Sequence, residues 1–198
     1  MIEERATTLW RNHSRKGVPC GIGSTLENTE IIRDYIEVII KKYNIKSITD
    51  APCGDYSWMS LVDKQQATYN GYDINYEMLS ENKLNYPDVM FAHLDITTTM
   101  LPKTDLIICR DCLIHLCTED NISVLSNFKK SGSKYLLSTT FDSVSENCNI
   151  ADGYERDTGY GFRRVNLKID PYNLGDSIDH VYEPVFDRCL ALWKLNDN

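Results

Sequence analysis

Lys46-Ser47-Ile48-Thr49-Asp50-Ala51 is a short β-branched run that leads straight into the turn Pro52-Cys53-Gly54-Asp55. A strand that ends in a glycine turn and is followed by a helix opens an α/β unit. A short helix is predicted from about Ser57 to Gln65. Ala67-Thr68-Tyr69-Asn70-Gly71-Tyr72-Asp73 reads as a second strand ending on an acid, and Tyr76 to Asn85 as a helix. Val89-Met90-Phe91-Ala92 is strand-like and runs into His93-Leu94-Asp95. Asp105-Leu106-Ile107-Ile108-Cys109 is an apolar run of the kind buried on both faces of a parallel sheet.

On the N-terminal side, Ser24-Thr25-Leu26-Glu27 reads as a capping box. Ile31, Ile32, Tyr35, Ile36, Ile39, Ile40 and Tyr43 then repeat at helical steps. On the C-terminal side, Thr118 is placed as the cap of a helix that buries Ile122, Leu125 and Phe128 and closes at Lys129, Lys130 and Gly132. Lys134 to Thr139 is a further strand. Thr140 to about Asp176 loses periodicity and reads as a substrate loop or lid. Ile178 to Glu183 and Cys189 to Leu195 form a closing strand pair joined at Pro184 to Asp187. Strands alternate with helices, which predicts a three-layer α/β sandwich, Rossmann-like, with a mostly parallel sheet and an antiparallel C-terminal pair. The expected organisation is a single domain over 1–198. Residues 1–44 supply a loop and helix, 45–140 a cofactor-binding core, 141–177 the substrate loop and 178–198 the closing strands.

Composition narrows the function classes. The chain has 198 residues, 42% hydrophobic and 25% charged, which is ordinary for one globular domain. Its 21 Lys and Arg stand against 29 Asp and Glu, a net −8 that argues against a sequence-independent grip on nucleic acid. No apolar run is long enough to span a membrane. Met1-Ile2-Glu3-Glu4-Arg5 lacks the apolar core of a secretory signal, so a cytoplasmic protein is expected. Most of the seven cysteines, among them Cys53, Cys109, Cys112, Cys117 and Cys189, sit in apolar stretches, as reduced thiols do. Cys109-Arg110-Asp111-Cys112 lacks the second pair or the histidines that a zinc site needs.

In such sheets ligands bind at the carboxyl ends of the strands, near the point where strand order reverses. The ends at Asp50 to Asp55, Asp73, Asp95 and Arg110 to His115 would share one edge. Gly54 lets a backbone approach a ligand. Asp73 suits the two hydroxyls of a ribose, because a carboxylate accepts two hydrogen bonds side by side. Asp95 suits an exocyclic amine such as that of adenine. Together they indicate an adenosyl ligand. The Gly-x-Gly-x-x-Gly of a pyrophosphate site is absent, and an acid at the turn suits the positive charge of S-adenosylmethionine.

This arrangement over residues 45 to 140 resembles the class I S-adenosylmethionine-dependent methyltransferases; Pro52-Cys53 stands where those often carry a second glycine. Gly21-Ile22-Gly23-Ser24, Ile48 to Trp58, Arg110-Asp111-Cys112-Leu113-Ile114-His115-Leu116 and Gly161-Phe162-Arg163-Arg164-Val165-Asn166-Leu167 occur in that order. The series is similar to short methyltransferases of surface-glycan synthesis in bacteria and large viruses. The resemblance implies a sugar O-methyltransferase of the cytoplasm (a host's, for a viral member), with a glycan, glycolipid or nucleotide-sugar as acceptor. It also leaves room for a place within a larger glycan-synthesis protein. The alternatives are a nucleic-acid or cap methyltransferase and a non-catalytic cofactor-binding subunit.

The candidate cofactor residues are Ser24, Arg33, Asp50, Pro52, Cys53, Gly54, Asp55, Trp58, Asp73, Ile74, Leu94, Asp95, Ile96 and Arg110. Several have a structural reading beside the functional one. Asp73 could cap the next helix, Asp95 form a turn, Trp58 fill the core, Ser24 serve only its capping box and Arg33 remain a solvated charge. His115 is the candidate general base, oriented by Asp111 if residues 111–115 make one helical turn; the plain reading is a structural His–Asp pair. A divalent metal on Asp111, His115 and Asp142 is the second choice. Tyr160, Arg163, Arg164 and Asn166, near Tyr154 and Tyr172, are the candidate acceptor contacts.

Overall fold

The computed structural model describes residues 4, 7–8, 11–12, 17, 19–148 and 162–196. Tyr154 and Tyr160 lie outside the described residues. The chain divides into two compact units, Met1–Leu94 and Asp95–Asn198. Its sheet has seven strands in the order β3-β2-β1-β4-β5-β7-β6, mostly parallel, with an antiparallel C-terminal pair. This is the Rossmann-like architecture that the alternating pattern predicts.

The first unit holds β1 (Ser47–Asp50), β2 (Thr68–Asp73) and β3 (Met90–His93), paired parallel with Asp50 opposite Gly71 and Asp73 opposite His93. Helix α1 (Glu30–Lys42) buries Ile32, Ile36, Ile39 and Ile40, one stripe at helical spacing, while Ile31 is exposed. The capping box at Ser24 does not form. Residues Ile22–Ser24 make a 3-10 turn, and the Ser24 hydroxyl donates to the Cys20 carbonyl at 3.2 Å. α1 starts six residues later, after Thr29. The helix expected over 57–65 is one 3-10 turn, Met59–Leu61: Asp55 accepts from the Ser57 amide and hydroxyl, and Asp63 from the Gln65 amide, so local side-chain bonds replace the helical ladder. Helix α2 (Tyr76–Asn85) is capped by Asn75, whose side-chain oxygen accepts from the Glu77 and Met78 amides.

The second unit holds β4 (Leu106–Cys109), β5 (Tyr135–Thr140), β6 (Asp179–Glu183) and β7 (Arg188–Lys194). β4 runs parallel to β5; β7 lies antiparallel to β5 and pairs with β6 on its other side. Every residue of β4 is buried. Helix α3 (Thr118–Lys130) starts after Cys117, whose sulfur accepts from the Asp120 amide, so Thr118 is the first helical residue and not the cap. Its buried stripe is Asn121, Val124, Leu125 and Phe128, and Ile122 faces solvent. Leu125 and Phe128 are buried as the pattern predicts, and Ile122 is not, because the polar Asn121 takes the core position beside it. All seven cysteines are free. Among the described residues no helix is long and apolar enough to cross a membrane.

Gly71 in β2 is a packing constraint. A Cβ there would stand 2.7 Å from the Phe91 ring and 3.0 Å from Cys53 Sγ. Gly71→Ala should destabilise the protein by about 1–3 kcal/mol, read as a lower urea midpoint at unchanged slope.

Candidate active site

In the first unit the site is built on the turn after β1. Gly54 has φ +58°, in the left-handed region, and a Cβ there would lie 2.9 Å from Cys20 Sγ. Its amide donates to Asp73 Oδ2 at 3.1 Å, and its carbonyl accepts from Asn82 Nδ2 at 2.8 Å. The single glycine is therefore clamped at both its amide and its carbonyl. Asp73 Oδ1 accepts from the Asn75 amide at 2.9 Å. Asp73 does not cap α2, since Asn75 does. Its carboxyl is pushed up to about 6 by burial, against the opposing effect of the Asn75, Gly54 and Ile74 amides.

The other candidates of this unit have defined places. Asp50 is buried and accepts from the Tyr69 hydroxyl at 2.8 Å. The Asp55 amide donates to Cys20 Sγ at 3.2 Å. Pro52 follows a cis peptide, and the Cys53 amide donates to the Tyr72 carbonyl at 2.8 Å, holding the turn against β2. Burial raises the Cys53 and Cys20 thiols well above their ordinary value. Trp58 is buried at the head of the 3-10 turn. Ile74 is half-buried, and the Leu94 amide donates to the Asp73 carbonyl. Arg33 Nη1 donates to the Leu26 carbonyl and the Thr29 hydroxyl, so the guanidinium ties down the turn before α1.

In the second unit, Asp95 Oδ1 accepts from the Thr97 amide at 2.8 Å and hydroxyl at 2.6 Å, an Asx turn. Ile96 is buried and its carbonyl accepts from Asn127. The expected helical turn over 111–115 does not form. Asp111 has φ +54°, and the 3-10 turn that carries His115 spans only Leu113–His115. The Asp111 carboxylate turns to Arg188 (2.8 Å), Arg110 (3.2 Å) and the Thr139 hydroxyl (2.9 Å). Arg110 and Arg188 in turn share the buried carboxylate of Glu183, each at 3.0–3.2 Å. Two cations and two anions thus make a neutral ring, buried at Arg110, Glu183 and Arg188 and partly exposed at Asp111.

His115 is partly buried, with the Phe162 ring 6.3 Å away. Asp142 pairs with Lys168 at 2.7 Å, and among the described residues no three His, Cys, Asp or Glu side chains gather as a metal site, so the Asp111–His115–Asp142 set is not assembled. Arg163 and Asn166, expected as acceptor contacts, are buried in backbone contacts. Arg163 donates to the Leu116 and Cys148 carbonyls, and Asn166 to the Val144 carbonyl. Arg164 is exposed, paired with Asp187 at 3.1 Å. The residues that sequence reasoning missed are Asn82, Asn121, Glu183 and Arg188. The two asparagines carried a signal: each occupies a core position of its helix, and Asn121 Nδ2 donates to the Leu113 carbonyl at 2.9 Å.

No protein-family profile matches the chain, and no curated protein matches it in sequence. Solved structures do match in fold. Magnesium protoporphyrin IX methyltransferase from Synechocystis PCC 6803 with bound S-adenosylmethionine is similar at TM-score 0.67 and 14% identity, over 98% of this chain and 93% of that one. TnmH is similar at TM-score 0.65 and 12% identity, over 94% and 61%. A TehB-like S-adenosylmethionine-dependent methyltransferase from Corynebacterium glutamicum is similar at TM-score 0.53 and 14% identity, over 97% of each chain. The chain shares its fold with these solved structures, the first and third of which are methyltransferases.

The Asp73 shift has a sign that can be measured. A carboxyl whose folded value lies above its unfolded one favours folding fully below about pH 4 and loses that contribution as pH rises through about 6. The unfolding free energy of wild type relative to Asp73→Asn should therefore fall by roughly 3 kcal/mol across that window, read by chemical denaturation at each pH.

Proposed function

We propose that the protein is an S-adenosylmethionine-dependent O-methyltransferase whose acceptor is a sugar hydroxyl of a glycan, glycolipid or nucleotide-sugar. The observation that carries the cofactor reading is the Asp73 carboxylate, buried and fixed by the Gly54 and Asn75 amides. Each of its oxygens has a second lone pair, so the group can accept from two neighbouring ribose hydroxyls without releasing either amide. Gly54 supports the same reading, since a side chain there would strike Cys20 and close the turn.

The cofactor supplies an electrophilic methyl group on a sulfonium. Asp50 and Asp55 place negative charge at the turn, which suits that positive centre. Asp95 keeps Oδ2 outside its Asx turn, able to accept from an exocyclic amine. Ile74 and Leu94, both half-buried, offer apolar surface, and Ser24, Pro52, Cys53, Trp58, Ile96 and Arg110 complete the set of cofactor candidates. Arg33, with Nη1 committed to its turn, keeps further N–H groups for the carboxylate of the methionine end.

His115 takes the proton of the acceptor hydroxyl as the new carbon–oxygen bond forms; a neutral imidazole suits this near neutral pH. Asp111, committed to Arg188 and Thr139, holds the backbone that leads into the His115 turn. Proximity of hydroxyl and methyl supplies most of the acceleration. Incubating candidate glycans with the enzyme and S-adenosylmethionine should give a mass gain of one methyl group. Asp73→Ala should weaken S-adenosylhomocysteine binding by about 1.5–3 kcal/mol in calorimetry; equal affinity would move the ribose elsewhere. His115→Ala should keep that affinity and lose about 10²–10⁴-fold in turnover. Unchanged turnover would remove the base.

A further inference from the structure

The segment after residue 161 inverts the usual order of burial. Phe162 is 57% exposed, while Arg163 is 6% and Asn166 5% exposed. A guanidinium buried to that degree needs a reason. The guanidinium has one. Arg163 Nε and Nη2 donate to the Leu116 carbonyl at 3.2 and 2.9 Å, Nη1 to the Cys148 carbonyl at 2.5 Å, and Nη2 to the Tyr172 hydroxyl at 2.8 Å. Its own amide donates to the Ile114 carbonyl at 3.0 Å. Residues 114 and 116 flank His115. Arg163 therefore grips the His115 turn on both sides, and the same grip fixes the residue before it.

Phe162 is placed by that grip. Its ring lies 6.3 Å from the His115 ring, tilted by 59°, and 6.2 Å from the ring of Phe141, nearly perpendicular at 79°. Phe141 is buried and backs the arrangement, and the Arg164 guanidinium lies 5.6 Å from its ring. The exposed Arg164–Asp187 pair supplies both donors and acceptors nearby.

We infer that Phe162 is a contact residue for the acceptor, stacking on the apolar CH face of a pyranose, and that Arg163 is the residue that positions it beside His115. The inference rests on the proposed methyl transfer at His115. An aromatic face takes the CH side of a sugar while the hydroxyls on its edge remain for polar partners and for the imidazole. Arg163 thereby leaves the set of direct acceptor contacts and acts through Phe162 and the turn.

The test uses the full chain, S-adenosylmethionine, a panel of neutral oligosaccharides, and catechol as a planar non-sugar acceptor. Phe162→Ala should raise the acceptor KM about tenfold, equivalent to about 1.4 kcal/mol, with kcat at saturation and S-adenosylhomocysteine affinity unchanged. Phe162→Trp should restore KM, and the emission it adds over wild type should shift when a panel oligosaccharide is added without cofactor. Arg163→Lys should keep cofactor affinity but lower kcat as well as raise KM, because an ammonium cannot span Leu116 and Cys148 together. An unchanged KM in Phe162→Ala, with wild type methylating a sugar, overturns the stacking role and leaves the methyltransferase reading intact. Methylation of catechol in place of any sugar overturns the sugar contact. An emission response without methyl transfer supports the platform and removes the reaction; neither signal overturns both.

Discussion

A buried carboxylate between two backbone amides is the constraint on which the first unit depends. Ionised carboxyls are costly to bury, and Asp73 is held where it is because Gly54 and Asn75 donate to it. Those bonds join the end of β2 to a turn 19 residues earlier and to the cap of α2. Asn82 completes the frame from the far side by donating to the Gly54 carbonyl. The turn thus needs only one glycine, because side chains from β2 and α2 hold both of its polar groups.

The second unit solves a related problem with cations. The left-handed backbone at Asp111 is unfavourable for a residue with a side chain, and three partners on its carboxylate hold it there. The turn bearing His115 is held at Leu113 by Asn121, at Ile114 by the Arg163 amide and at Leu116 by the Arg163 guanidinium. A short 3-10 turn has few hydrogen bonds of its own, so these outside donors define where the imidazole stands.

The alternation of strands and helices was legible in the sequence because its signals are short-range. β-branched runs, acids at strand ends, and the apolar stripe of α1 each declare themselves within a dozen residues. The capping box at Ser24 and the helix at 57–65 failed for a local reason: Ser, Asp and Asn side chains can satisfy the backbone without a helix, and here they do. The stripe of α3 was right at Leu125 and Phe128 and wrong at Ile122, because Asn121 is polar and central at once. Of the candidate site, the turn at Gly54 and the acid that closes β2 at Asp73 were legible as local features, because a glycine turn and a strand-ending acid are both read within a few residues. The arginine ring was not. Arg110 and Asp111 find partners 73 and 77 residues away, and no local pattern announces them.

That ring ties the end of β4 to the closing strand pair. With both signs balanced among Arg110, Asp111, Glu183 and Arg188, loss of Glu183 leaves two buried guanidinium groups short of a carboxylate. A C-terminal hairpin that looks like a mere seal on the sheet edge is thereby yoked to the residues beside His115, and it cannot be trimmed or exchanged as an independent piece.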